Sequence, residues 1–244
     1  MDAVLLFSGQ GAQKVGMGKD LYDQYPVAKA LIEQADKALG ESLSAVMFEG
    51  PGEELTRTCN CQTALYVHGI ACLAVLKELV PSLNPVAAAG LSLGEFTAHA
   101  AAGTYSFEEG LRLVQKRGAF MEEACNATKG TMAAMIGGTD ENVIKLAQEC
   151  DVDVANFNCP GQTVVSGTEE GVAKAVAGAK AAGCKIAKKL NVAGAYHSRL
   201  MHSAMVKLAE ELKNISFGTP SMPVYCNYEA RVVEGPDDIR SMLE

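Results

Sequence analysis

The sequence is short of positive charge: 21 Lys and Arg stand against 29 Asp and Glu, a net charge of −8 over 244 residues. Neutralising nucleic-acid phosphates takes a basic footprint, so this balance argues against a nucleic-acid partner. It leaves room for a small anionic substrate, which needs only one local cation. Long apolar runs are also missing. The run Ala3 to Phe7 is short and follows Asp2, so no signal peptide is read, and no stretch is read as approaching a membrane span. A soluble chain without a membrane partner is expected. The eight cysteines (59, 61, 72, 125, 150, 159, 184, 226) contain no Cys-x-x-Cys pair and no zinc spacing. They fall mostly in apolar or helical stretches, which fits reduced core thiols, a cytoplasmic location and no metal site.

Phosphate cradles are absent as well. The strand Val4–Phe7 leads into Gly9-Gln10-Gly11-Ala12-Gln13, but Lys14 stands where a dinucleotide fingerprint needs glycine, and Gly16 is followed by Met17 rather than the Lys-Ser/Thr of a P-loop. What remains is a loop at a strand's carboxyl end whose N–H groups suit an oxyanion.

What is present is a domain-sized chain, 48% hydrophobic and 20% charged, able to bury a substantial core. Its organising stretch is Gly90-Leu91-Ser92-Leu93-Gly94-Glu95. Small apolar residues from Asn84 to Ala89 read as a buried strand, and Glu95 to Ala102 reads as a helix. A strand-to-helix handover at a serine between glycines is the context of a nucleophile elbow, with helix N-terminal N–H groups nearby for a developing oxyanion. Ser92 and Glu95 also spell a capping box, in which Ser92 would be no more than an N-cap. The pattern alone leaves both readings standing.

Other helices are read from periodicity: Leu21 to Leu39, Gln62 to Val80 with His68 as a structural histidine, and Ser106 to Ala124. Glu53 to Asn60 reads as a polar connection. In the third helix Phe107, Leu111, Val114, Gly118 and Met121 trace one face and carry Arg117 inward. An inward guanidinium requires an anionic partner, either a structural Asp or Glu or the carboxylate of a substrate. Between about 130 and 190 the order changes to strand, helix, strand, strand, helix, strand, the βαββαβ order of a ferredoxin-like unit, with Asn156, Asn158, Pro160, Gly161 and Gln162 in a polar turn. After Val192-Ala193-Gly194-Ala195-Tyr196-His197-Ser198, a helix to about Leu212 buries Met201, Ala204, Met205, Leu208 and Leu212. At about 100° per residue His197 projects onto that buried face and His202 away from it.

Together these segments resemble the malonyl-CoA:acyl-carrier-protein transacylases and the acyltransferase domains of fatty acid and polyketide synthases. The likeness is carried in order by Gly9–Gln13, Gln62-Thr63-Ala64-Leu65, Gly90–Glu95, Arg117-Gly118-Ala119-Phe120-Met121, Asn156–Gln162 and Gly194–Ser198. It implies an α/β fold: a hydrolase-like parallel-sheet core over 1–129 and 191–244 with an inserted ferredoxin-like subdomain over 130–190. It also implies roles. Ser92 would be the nucleophile and His197 its base, with the N–H groups of Gln10 and Leu93 as oxyanion hole. Arg117 would clamp a malonyl carboxylate, with Gln62, Asn156 and Asn158 lining the site. Malonyl-CoA and acyl carrier protein would be the partners, with no cofactor. The segment Gly194-Ala195-Tyr196-His197 is similar to the form associated with malonyl, with Tyr in place of Phe. Leu91 stands where the family most often has histidine. The family's closing segment, which supplies a glutamine carbonyl to orient the histidine, is expected beyond Glu244, so that the C-terminal part of the core is read as missing.

Two other readings stay open at this stage. One is a serine hydrolase or thioesterase, which would need an acid such as Asp140, Asp151 or Asp153 for a triad. The other is an inactive truncated form that still binds carrier protein.

Overall fold

A computed structural model describes residues 1–244, which fall into two compact units, Met1–Ala119 with Leu208–Glu244, and Phe120–Lys207.

The first unit is built on a three-stranded parallel sheet. Strand β1 (Asp2–Phe7) opens the chain and is followed by helices α1 (Lys19–Gln24), α2 (Pro26–Leu39), α3 (Leu43–Glu49), α4 (Gly52–Thr56) and α5 (Thr58–Leu79). Strand β2 (Asn84–Gly90), helix α6 (Leu93–Ala101) and helix α7 (Phe107–Ala127) come next, and the unit boundary falls within α7. β1 pairs in parallel with β2 from Asp2 opposite Asn84 to Phe7 opposite Gly90. The small side chains of β2 let α6 lie close on β1 and β2, and Ala88 is fully buried beneath it. Val4 and Leu6 of β1 are exposed, 56% and 78%, so that side of β1 faces solvent in this chain.

Three features here differ from expectation. The single helix Leu21–Leu39 is two helices, because Pro26 takes the first position of α2 while Tyr25 before it is extended. The polar connection Glu53–Asn60 is α4 and the first turn of α5; polar residues hid two turns that tertiary packing holds helical. And α5 is long and apolar enough by length and composition to cross a membrane, contrary to the expectation that no stretch comes near. Packing accounts for that apolarity. Over half of its apolar window (56%) is buried, and the helix lies against α2, α3, α4 and α6.

The second unit holds strand β3 (Gly130–Ile136), helix α8 (Asp140–Glu149), strands β4 (Asp153–Cys159) and β5 (Gln162–Thr168), helix α9 (Glu169–Gly178) and strand β6 (Ile186–Lys189). The sheet is antiparallel in the order β4-β5-β3-β6, the arrangement of a split βαβ unit. Alternation divides its faces. Ala133, Met135 and Val165 meet Val143, Leu146, Val172 and Ala175 of the two helices, whose N-caps are the Thr139 and Thr168 hydroxyls. Met132 and Val164 point the other way, into a cluster with Met121, Tyr196, Met201 and Ala204. This second cluster is why the compact unit extends past the sheet on both sides, to Phe120 and to Lys207.

The chain returns to the first unit within α10 (His202–Leu212), then forms β7 (Val224–Tyr225) and α11 (Pro236–Leu243). β7 pairs in parallel with β2 through Ala88–Val224 and Ala89–Tyr225, giving the order β1-β2-β7. With only two paired residues, it carries no alternation long enough to be read from sequence.

Candidate active site

Ser92 sits between the end of β2 and the first residue of α6 with φ 50° and ψ −106°. A non-glycine residue there is strained by about 1–3 kcal/mol, so the surrounding fold must hold it. The flanking glycines are dictated by close approach. A Cβ on Gly90 would lie 2.0 Å from the Gly94 carbonyl carbon, and one on Gly94 would lie 2.2 Å from the Phe7 carbonyl oxygen. The elbow is also tied to β1, since Leu91 N–H donates to the Phe7 carbonyl at 3.1 Å.

Of the two readings of Ser92, the capping box is not the one formed. The Ser92 side chain does not cap α6. Its Oγ accepts instead from Arg117 Nη2 at 3.0 Å. Arg117 is 8% exposed; its Nη1 donates to Gln62 Oε1 at 2.8 Å, and its guanidinium carbon lies 5.1 Å from the Phe96 ring centroid. Both side-chain acceptors are neutral oxygens. Burial lowers the Arg117 pKa to about 10, against the opposing pull of Glu95, so the group stays charged at neutral pH. Gln62 is 1% exposed on α5, which fixes its amide as a rigid partner for the guanidinium.

Two further residues complete this cluster, and neither was singled out from sequence for it. Glu95, 4% exposed, accepts the Asn227 backbone N–H on Oε2 at 2.9 Å, while Asn227 Oδ1 accepts the Ser92 N–H at 2.7 Å. Burial pushes the Glu95 carboxyl up to about 7, opposed by the Asn227 N–H and by Arg117. A signal for Glu95 did exist in an acid set in the Ala-rich run that follows the elbow. Asn227 had none, because it depends on β7.

Gln10 is half-buried in the turn after β1, and Leu93, 1% exposed, is the first residue of α6. At that position the Leu93 N–H has no acceptor within the helix. Ser92, Arg117, Gln62, Gln10 and Leu93 thus all belong to the first unit, and the first three are joined by hydrogen bonds.

His197, Asn156 and Asn158 belong to the second unit. His197 is exposed, at φ 55°, in a turn before the 3-10 turn Arg199–Met201. Its projection onto a buried helical face is therefore corrected: α10 starts only at His202, so helical spacing does not reach back to residue 197. The turn is fixed by Ser198, whose Oγ donates to the Ala195 carbonyl at 2.6 Å and accepts from Leu200 N at 3.3 Å. His202 is exposed, as expected. Asn156 is half-buried on edge strand β4, and Asn158, exposed, donates to Gln162 Oε1 at 3.1 Å. The acids that a triad would need are otherwise engaged. Asp140 accepts from Thr163, and Asp151 and Asp153 pair with Arg199.

The cluster offers a hydroxyl on a strained turn, a buried cation touching it and a helix N-terminus beside it. It suits attack on a carbonyl whose substituent carries negative charge. The comparisons agree with that chemistry. The chain is 44% identical over 243 residues to the malonyl CoA-acyl carrier protein transacylase of Bacillus subtilis (strain 168), covering 98% of this chain and 76% of that one. The structure of the malonyl CoA-acyl carrier protein transacylase from Coxiella burnetii superposes with a TM-score of 0.94 at 36% identity, covering 98% of this chain and 77% of that one. A type II PKS acyl-carrier protein solved in complex with its malonyl-transacylase gives a TM-score of 0.93 at 36% identity, over 98% and 79%. The family described as acyl transferase domain matches residues 4–238, and the chain belongs to it.

Proposed function

We infer that this chain transfers a malonyl group from malonyl-CoA to the phosphopantetheine thiol of acyl carrier protein through a malonyl-serine intermediate. The observation that carries this reading is Arg117: a buried guanidinium whose side-chain partners are two neutral oxygens, one of them the Ser92 hydroxyl. A malonyl half-thioester brings the carboxylate that this cation is placed to receive, and the two N–H donors of the fork suit two carboxylate oxygens.

In the reaction, Ser92 Oγ attacks the thioester carbonyl while His197 takes its proton. The tetrahedral oxyanion is held by the N–H groups of Gln10 and Leu93. Collapse expels CoA as its thiol, with the proton returned from His197. The carrier's phosphopantetheine thiol then gives its proton to His197, attacks the malonyl ester and regenerates the Ser92 hydroxyl as the new thioester forms. The exchange is nearly balanced in free energy, so a covalent relay suffices, provided water is kept from the ester. Arg117 clamps the malonyl carboxylate with its guanidinium held by Gln62, and Asn156 and Asn158 line the site. Support for paired roles of Ser92 and His197 comes from the backbone: both are among the four non-glycine residues at positive φ. Strain of that kind clusters at functional sites. The reaction is set in the cytoplasm, in keeping with eight cysteines that form no disulfide.

Intact-mass measurement after mixing with malonyl-CoA tests the reading. The expected result is one malonyl adduct on the wild type, lost on adding a phosphopantetheinylated carrier protein that gains it, and no adduct on Ser92→Ala. Free malonate released at the rate of CoA, with none on the carrier, would replace transfer by hydrolysis.

A further inference from the structure

The capping box that Ser92 and Glu95 spell in the sequence is held open in the structure, and one residue stands in both of its halves. In a closed box the Ser92 hydroxyl would accept the Glu95 N–H and the Glu95 carboxylate would accept the Ser92 N–H. Here the Ser92 N–H goes to Asn227 Oδ1 at 2.7 Å, and the Glu95 carboxylate takes the Asn227 N–H at 2.9 Å. The Glu95 N–H turns to the Ser92 carbonyl at 3.1 Å.

We propose that Asn227 is a positioning residue for the acyl-transfer reaction, inserted between Ser92 and Glu95 so that the nucleophile's hydroxyl is turned to Arg117 instead of capping its own helix. The proposal rests on Ser92 being the nucleophile. Three observations carry it. Ser92 stays at φ 50°, ψ −106°, whereas an N-cap residue takes extended backbone angles; an outside acceptor on its N–H is one of the restraints that this strain requires. Glu95 spends a buried carboxylate on the Asn227 main chain, which fixes the Asn227 side chain opposite Ser92. And Asn227 follows β7, whose pairing with β2 brings it to the same end of the sheet as the elbow. Asn227 itself is exposed, so changes to its side chain leave the core intact.

A structural role alone and a positioning role separate on the reactivity of the hydroxyl in the folded protein. Sulfonylation by phenylmethylsulfonyl fluoride reports that reactivity without malonyl-CoA: Ser92 Oγ displaces fluoride from sulfur, losing its proton to solvent or base. Rates by intact mass are compared for wild type, Asn227→Leu, which keeps bulk without the acceptor, and Asn227→Asp, which keeps an acceptor oxygen. The expected result is a roughly 100-fold slower reaction in Asn227→Leu, with the same fall in malonylation and in kcat at nearly constant KM, and recovery to within about threefold in Asn227→Asp. If Asn227→Leu does not fold, Asn227→Ala removes the acceptor with less bulk and carries the same expectation. Wild-type rates in the variants without the acceptor overturn the proposal, as does an Asp variant as slow as they are. A wild type sulfonylated at Ser92 but not malonylated overturns the proposed transferase and still reads the role of Asn227 from the sulfonylation rates. A wild type that takes neither group at Ser92 overturns both, and one that is malonylated only reads the role of Asn227 from the malonylation rates.

Discussion

Arg117 donates to the Ser92 hydroxyl oxygen at 3.0 Å, so the cation and the proposed nucleophile share one hydrogen bond before any substrate arrives. A substrate carboxylate would take over that donor and release the hydroxyl for attack. Arg117→Ala is therefore expected to lower kcat/KM for malonyl-CoA by roughly 100-fold or more, the loss of a charge-assisted bond or two in a buried site, and to lower that for acetyl-CoA by less than about tenfold. Arg117→Lys should not restore the malonyl rate, because an ammonium cannot present the planar fork to Gln62 and a carboxylate together. Steady-state rates with both acyl-CoA substrates check this, and equal losses for the two would remove Arg117 from the clamp.

The backbone strain at Ser92 predicts a trade between function and stability. Glycine meets no Cβ penalty at φ 50°, so Ser92→Gly should abolish acylation while raising stability by about 1 kcal/mol, strain relief less the added freedom of the unfolded chain. Urea unfolding of the two proteins reads the difference. A Ser92→Gly protein less stable than the wild type would mean that the contact with Arg117 outweighs the strain.

How much of this could be read from the chain depends on where each constraint lives. The elbow was legible because its glycines are local necessities, each with a neighbour's backbone about 2 Å from where a Cβ would sit. Arg117 was legible on α7 because a regular helix carries its face through many residues, and the Ser106–Glu109 capping box that starts it is formed as spelled. The βαββαβ order was legible because each of its strands and helices is long enough to show a period. His197 was misplaced because it lies in a turn, where spacing has no meaning. Asn227 was invisible since its role arises from β7, two paired residues that only the folded sheet defines. That the capping box at Ser92 stays open is likewise decided by contacts from distant segments, Arg117 and Asn227, rather than by the motif itself.

Gln62 offers a test of whether the cation is oriented or merely present. Its Oε1 accepts from Arg117 Nη1 at 2.8 Å in a position 1% exposed. Gln62→Leu keeps volume and removes the acceptor, leaving a buried charged donor unpaired, at an expected loss of about 1–3 kcal/mol in stability. Binding should suffer too: KM for malonyl-CoA is expected to rise by roughly tenfold, with the acetyl-CoA value unchanged. A variant with wild-type stability and KM would show that Ser92 alone orients the guanidinium.

Helix α6 carries two buried titratable groups whose effects on stability oppose one another. Burial raises Glu95 from its ordinary 4.5 to about 7. The folded state therefore holds this proton more tightly than the unfolded chain, and the stability it contributes is present below pH 4.5 and lost as pH rises to about 7. Burial lowers His99, fully buried with Nδ1 3.2 Å from Thr104 Oγ1, from 6.5 to about 4. Here the unfolded chain binds the proton first, so stability is present above pH 6.5 and lost as pH falls toward 4. Each shift corresponds to roughly 3 kcal/mol over its window, and where the windows overlap, between pH 4.5 and 6.5, the two slopes cancel. Removing either group should expose the other. Relative to the wild type, the urea midpoint of Glu95→Gln is expected to climb as pH rises from 4.5 to about 7, and that of His99→Asn to fall as pH rises from about 4 to 6.5. Parallel pH profiles for all three proteins would mean that neither group titrates in the folded helix as its burial requires.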